Sequence, residues 1–140
     1  MNLPDAIDIL LVEDNPNDAE LTQRALKKSE IGARLAVARD GAEALEYLLS
    51  RRPKPKVIFL DLKLPKIDGI EVLRRVRQDD RTRSIPVIVL TSSQEERDIK
   101  ECYSLGVNSY VVKPVEFDKF YKVVADLGTY WLVLNKAPLR

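Results

Sequence analysis

Histidine is absent from the 140 residues. Its absence removes serine and cysteine hydrolases with an imidazole base, most zinc sites and phosphohistidine carriers, so any chemistry falls to carboxylates, hydroxyls or lysine. Cysteine is almost missing as well. The single Cys102 cannot form an internal disulfide, and its place in a helical pattern suits a buried thiol in a reducing compartment, with the cytoplasm as the default location. An excess of charge of one sign is also lacking: 23 lysines and arginines face 22 acids, net +1, which predicts no bulk attraction to nucleic acid or to a membrane surface. No apolar run approaches the ~20 residues that a bilayer-spanning helix needs. The start, Met1 to Asp8, is polar and contains Pro4, unlike the basic flank and apolar stretch of a secretory signal.

What is present describes an ordinary folded domain. Apolar residues make up 45% and charged residues 32%, and the length suits one compact unit, residues 1–140 with a core over about 6–134 and no second module. Five short β-rich runs read as strands: Ile7 to Glu13, Arg34 to Ala38, Lys56 to Asp61, Pro86 to Thr91 and Ser109 to Lys113. Within them, Ile9-Leu10-Leu11-Val12, Val57-Ile58-Phe59-Leu60 and Val87-Ile88-Val89-Leu90 are apolar at every position, as central parallel strands covered on both faces must be.

Helix signals fill the intervals. Asn15 followed by Pro16 marks one start, with Leu21, Ala25 and Leu26 on one face. Asp40 with Glu43, Asp68 with Glu71 and Ser93 with Glu96 have the form of capping boxes, each just after a strand. Their apolar stripes are Leu45, Leu48 and Leu49; then Val72, Leu73 and Val76; then Ile99, Cys102, Tyr103 and Leu105, the last helix closing at Gly106. Strand and helix alternation with right-handed crossovers predicts an α/β, doubly wound parallel sheet whose ligands gather at the carboxyl ends of the strands.

Glu13, Asp14, Asp61, Thr91 and Lys113 stand at those ends, each directly after an apolar run. Taken singly, they read as helix caps, turn residues or surface charges. Together, on one edge of one sheet, they describe a pocket. Three carboxylates there repel one another unless a cation neutralises them, and magnesium suits oxygen ligands of this kind. Asp14 and Asp61 are the direct ligands in this reading, with Glu13 acting either directly or through water. A carboxylate can attack phosphorus to give an acyl phosphate when metal and fixed donors balance the charge; Lys113 and Thr91 supply the donors.

The segments Leu11-Val12-Glu13-Asp14-Asn15, Asp61-Leu62-Lys63-Leu64-Pro65-Lys66-Ile67-Asp68-Gly69, Val89-Leu90-Thr91-Ser92 and Tyr110-Val111-Val112-Lys113-Pro114 resemble the receiver domains of response regulators. The likeness covers most of the chain, and the ordered set is far more specific than any one motif. It implies the flavodoxin-like strand order 2-1-3-4-5 with an extended last helix. It implies a phosphoacceptor at Asp61; Mg2+, or Mn2+ or another divalent ion in its place, at Glu13, Asp14, Asp61 and the backbone carbonyl of Lys63; and phosphate contacts from Thr91 and Lys113. It implies a cis peptide between Lys113 and Pro114. Pro65 and Gly69 read as loop punctuation.

The resemblance further implies a switch in which Thr91 moves toward the phosphate and Tyr110 turns from exposed to buried; the plain alternative for Tyr110 is a static edge-strand residue. The expected donor is a sensor histidine kinase or phosphotransfer protein. Tyr130-Trp131-Leu132 in the last helix is similar to single-domain receivers that partner phytochrome-type kinases. The output surface would be the last two helices and the fifth strand, for a downstream protein or a second copy. In that last helix Phe120, Val124, Leu127, Trp131 and Leu134 form a stripe that Val123 and Tyr130 widen, either to bind another chain or to cover the sheet, and Gly128 is a place for a bend. Lys63, two residues after Asp61, cannot serve as the second acid of an aspartyl-phosphate phosphatase, so a signalling acceptor is preferred over an enzyme. A receiver that has lost its acceptor is disfavoured too, since acceptor, metal and donor positions are all intact.

Overall fold

The computed structural model describes residues 6–29 and 31–138. The polar start through Asp5, with Pro4, as well as Glu30 and the last two positions, lies outside the described residues. Five parallel strands, β1 (Ile9–Val12), β2 (Leu35–Ala38), β3 (Val57–Leu60), β4 (Val87–Thr91) and β5 (Ser109–Val112), form one sheet in the order β2-β1-β3-β4-β5. Helices α1 (Pro16–Lys28), α2 (Gly41–Leu48), α3 (Gly69–Gln78), α4 (Glu96–Ser104) and α5 (Phe117–Thr129) alternate with them. The predicted class and strand order are observed. Each strand is one to three residues shorter than its sequence window, and the backbone hydrogen bonds of Glu13, Asp61 and Lys113 carry the ladder just past the assigned strand ends.

Alternation along the strands divides the core in two. Leu10, Val12, Ile58, Leu60, Val87 and Val89 point to one face, where Leu45 and Leu48 of α2, Val72, Leu73 and Val76 of α3, and Cys102 of α4 cover them. Ile9, Leu11, Val57, Phe59, Ile88 and Leu90 point to the other, under Ala25 and Leu26 of α1 and Phe120 and Val124 of α5. Each fully buried Val, Leu, Ile or Phe among these contributes about 1.5–3 kcal/mol relative to exposure. Burial on both faces is what the unbroken apolar runs required.

The capping signals hold for three helices and fail for one. Asn15 accepts from the backbone N–H groups of Asn17 and Asp18, with Pro16 in the first turn. Asp40 accepts from Glu43 N, and Asp68 from Glu71 N. Ser93, expected to cap α4, lies outside it: the helix begins at Glu96 without a side-chain cap, and the Ser93 hydroxyl donates to Asp98 Oδ2 at 2.6 Å. The expected α4 stripe narrows in the same way. Cys102 is buried, whereas Tyr103 is exposed because α4 covers the sheet near its edge.

Gly128 lies within the continuous helix α5. It is buried where α5 crosses α1, and a Cβ there would lie 2.6 Å from Leu26 Cδ2 and 3.0 Å from Ile31 Cδ1. The departure from α geometry comes just after it, in a π-helical turn over Tyr130–Leu134 closed by Asn135 N donating to Tyr130 O at 2.7 Å. Trp131 and Leu132 pack on the α1 and α5 face, while Tyr130, Val133 and Leu134 are exposed. Among the described residues no helix is long and apolar enough to cross a membrane.

Candidate functional site

Because all strands run the same way, their carboxyl ends share one edge, and the order brings β1 beside β3, with Val12 opposite Leu60. The next residues, Glu13 and Asp61, are therefore neighbours. Strands β4 and β5 pair with Thr91 opposite Val112, and Lys113 N donates to Thr91 O at 2.7 Å, carrying the ladder one residue further and aiming the lysine along the edge.

Lys113 is the hub. Its ammonium donates to Glu13 Oε1 at 2.7 Å, Asp18 Oδ2 at 2.9 Å and Asp61 Oδ2 at 3.0 Å, three donors for three carboxylates. The other oxygen of Asp61, Oδ1, accepts from Leu62 N at 2.7 Å and more weakly from Lys63 N at 3.4 Å. Both oxygens of this buried aspartate are thus held in place. Glu13 Oε2 accepts from Asn15 N at 3.2 Å. Among the described residues, Glu13, Asp14 and Asp61 bring carboxylate oxygens within 4.8 Å of one another, with Asp14 exposed at the mouth.

Burial pushes Glu13 up to about 7, with the charge of Asp61 adding to the rise and Lys113 opposing it. Burial acts against the charge of Lys113, yet its hydrogen bonds to Glu13 and Asp18 and the charge of Asp61 outweigh that, leaving it above the usual lysine range. The lysine is a permanent cation here. A set of hard oxygen donors converging on one point fits a divalent cation.

The structure gathers Glu13, Asp14, Asp61 and Lys113 in one cluster. Thr91 is fully buried at the end of β4, with its Oγ1 accepting from Ser93 N at 3.3 Å. The Lys63 side chain is exposed and lines the mouth of the cleft with Asp14, Pro65, Asp68, Arg97 and Asp98. A larger concavity at β2 and α2, lined by Ala36, Tyr47, Arg51 and Arg52, holds no comparable constellation.

Three expectations need correction or addition. The Lys113–Pro114 bond is trans, since no cis peptide occurs among the described residues, and Lys113 reaches the acids from the direction that its bond to Thr91 O already sets. Tyr110 is half-buried rather than exposed, because its ring packs against the core and its hydroxyl donates to Ser93 O at 3.0 Å. Asp18 was missed. In the sequence it is only a first-turn acid of α1; nothing local shows that α1 sets it beside the end of β5.

The loop after Asp61 is shaped by close approach. Gly69 N donates to Leu62 O at 2.8 Å, and a Cβ on Gly69 would meet Asp61 O at 2.2 Å. Gly41 faces the carbonyl of Ile67, which a Cβ would meet at 1.8 Å. Between them Lys66 takes φ 67 in a tight turn closed by Ile67 N donating to Pro65 O at 2.8 Å, a strained conformation for a side chain of that size. Lys66 Nζ also lies 3.4 Å from Asp40 Oδ2. Two glycines and the α2 cap therefore hold the loop beside the acceptor edge.

The sequence profile of the response regulator receiver domain matches residues 9–125. The chain belongs to that family. The receiver is 41% identical over 129 residues to the response regulator Rcp1 of Synechocystis sp., a match covering 89% of this chain and 88% of that protein. The structure of the Mn(2+)-bound form of Rcp1 superposes on the receiver with a TM-score of 0.90 at 39% identity, covering 95% and 99% of the two chains. The phosphorylated cyanobacterial phytochrome response regulator RcpA gives a TM-score of 0.90 at 37% identity, covering 96% and 99%. The bacteriophytochrome response regulator AtBRR is 52% identical with a TM-score of 0.72, covering 95% and 100%. Receivers of this kind are signalling domains of two-component systems that interact with histidine kinases or phosphotransfer proteins and work through phosphorylation on aspartate.

Proposed function

We propose that Asp61 is the phosphoryl acceptor of a stand-alone response regulator, with Lys113 and Thr91 as donors to the transferred group and Glu13, Asp14, Asp61 and the Lys63 carbonyl as ligands of Mg2+. The observation that carries this reading is the contact of Lys113 Nζ with both Glu13 and Asp61, at the only edge where strand ends, three converging acids and a buried hydroxyl meet among the described residues. Asp61 attacks phosphorus with a carboxylate lone pair. The bond from phosphorus to the donor's leaving atom breaks, and its electron pair leaves with the donor, an imidazole nitrogen of a kinase or a small acyl phosphate.

Leu62 N–H fixes the orientation of Asp61 through Oδ1, and Lys113 places a permanent positive charge beside Oδ2, where negative charge arrives. When bound, the magnesium ion offsets the charge of the acids and of the phosphoryl oxygens. Thr91 would exchange its contact with Ser93 N for a phosphate oxygen, and that exchange loosens the β4–α4 loop to which Tyr110 is already hydrogen-bonded. Tyr110 thus starts half-buried and tied to that loop, and phosphorylation shifts an existing balance.

The identities to RcpA and AtBRR support a phytochrome-type kinase as partner, in the cytoplasm. The exposed Tyr103, Phe117, Tyr130, Val133 and Leu134 support a protein target or a second copy on the last two helices and the β5 edge. The test is mass measurement after exposure to acetyl phosphate and Mg2+. The wild type gains a labile phosphate and Asp61→Asn does not; equal labelling of both removes Asp61 from the role. Sedimentation of the same samples reads self-association.

A further inference from the structure

We propose that Asp18 is a positioning residue for Lys113, the acid that keeps the lysine over Asp61 whatever else engages the other two. This inference rests on the acceptor reading above. Lys113 spends all three of its N–H donors on carboxylates, those of Glu13, Asp18 and Asp61. Two of these have a second claim on them: Glu13 and Asp61 belong to the group whose oxygens converge on one point with Asp14. Asp18 does not belong to it. Its contact with the lysine is therefore the one that no cation competes for, and Asp61 itself is the group that reacts.

Asp18 is built to stay where it is. It sits in the first turn of α1, its N–H donates to the Asn15 cap, and Thr22 Oγ1 donates to its carbonyl at 2.8 Å. A carboxylate at a helix N-terminus is held favourably by the unpaired N–H groups there. Pro16 adds a fixed φ to the same turn. Helix α1 is in turn packed on α5, and the Asp18 side chain is half-buried, with that of Lys113 buried more deeply. In contrast to Asp18, a flexible ammonium at the end of four methylenes would have many other places to go.

Each element supplies one part of the geometry. β1 and β3 bring the two acids, β5 the lysine, and α1 the anchor that fixes the lysine's reach from the side. Asp18 neither donates to the phosphoryl group nor bonds to it in this account. Its effect passes through Lys113, which sets it apart from the residues that touch the reacting atoms.

The experiment compares wild type, Asp18→Asn, Asp18→Ala, Lys113→Met and the double variant Asp18→Ala with Lys113→Met. Phosphorylation by acetyl phosphate with Mg2+ is followed by quenched mass measurement, and the ammonium of Lys113 by nitrogen-15 NMR with Mg2+ present. Asp18→Ala should slow labelling at saturating donor roughly tenfold, the weight of one ordinary charge-assisted hydrogen bond, with the KM for acetyl phosphate unchanged. Asp18→Asn keeps an oxygen acceptor and should fall between. The protected ammonium signal should persist in Asp18→Asn and disappear in Asp18→Ala. In the Lys113→Met background, Asp18→Ala should add nothing.

A wild-type rate or a faster one in Asp18→Ala overturns the proposal, and so does a further loss in the double variant, which would show an effect not passing through the lysine. Should Asp18→Ala fold poorly, the Asp18→Asn rate and ammonium signal decide by themselves. Failure of the wild type to label on Asp61 would overturn the acceptor reading instead, and the ammonium signal would still report whether Asp18 tethers the lysine.

Discussion

Replacing Gly69 by alanine perturbs the acceptor without touching an acid or the lysine. A Cβ at this position would lie 2.2 Å from Asp61 O and 2.6 Å from Leu62 Cα, where ordinary contact begins at 3.4 Å, so backbone must retreat by about 1.2 Å. Overpacking of this kind costs about 1–3 kcal/mol. The hydrogen bond from Gly69 N to Leu62 O stretches, for about 1 kcal/mol more, while the better helix propensity of alanine returns at most about 1 kcal/mol. The net loss is about 2 kcal/mol, which lowers Tm by about 7 °C in a domain of this length. The displaced backbone carries Asp61, and a misplacement of ~1 Å at a reacting group costs on the order of a hundredfold in rate. Thermal denaturation by circular dichroism and labelling with acetyl phosphate read the two effects. Gly32→Ala is the control: it has φ 63 and nothing within 4 Å of its Cβ, so it should lose about 1 kcal/mol and label normally. A Gly69→Ala protein as stable as the wild type and labelled as fast would refute the claim that close approach holds this loop.

Lys113→Met leaves the buried acids without their cation and should lower stability by about 3–5 kcal/mol in urea melts without added divalent ion. The loss should shrink as the pH falls toward about 7, because removing Lys113 takes away the charge that holds Glu13 down and lets the variant's Glu13 take up its proton at a higher pH than the wild type's. Tyr110→Phe removes the donor to Ser93 O and should cost about 0.5–1.5 kcal/mol, with amide shifts concentrated in the β4–α4 loop; shifts spread over the sheet would contradict a local link. Burial pushes the Cys102 thiol up to about 11, so at pH 8 alkylation should be far slower than for a free thiol and should climb with pH. Because the folded value lies above the ordinary 9.0, the thiol's share of stability is complete below pH 9 and falls as pH rises toward 11. Urea melts at pH 8 and pH 10.5, with Cys102→Ala as reference, measure that share.

Much of the molecule is written in local sequence. The three all-apolar runs required strands covered on both faces, and the caps at Asn15, Asp40 and Asp68 act within three residues of themselves, so a linear reading locates them. The acids and the lysine were legible for a related reason. A parallel sheet places every strand's carboxyl end on one edge, so the residue after each apolar run is assigned to that edge before any coordinate is known.

Tertiary structure decided what depends on separate segments meeting. Asp18 became a partner of Lys113 only because α1 leans toward β5 across 95 positions of sequence. Gly69 and Gly41 look like turn residues in the chain and are required by backbone passing within a Cβ's reach. Gly128 reads as a flexible point and is a packing point, since α1 lies against it. Tyr110 looks like any edge-strand aromatic until the carbonyl of Ser93 gives its hydroxyl a partner. Periodicity and capping act between neighbours along the chain and are visible in the sequence; close approach and long-range hydrogen bonds exist only once the elements have packed.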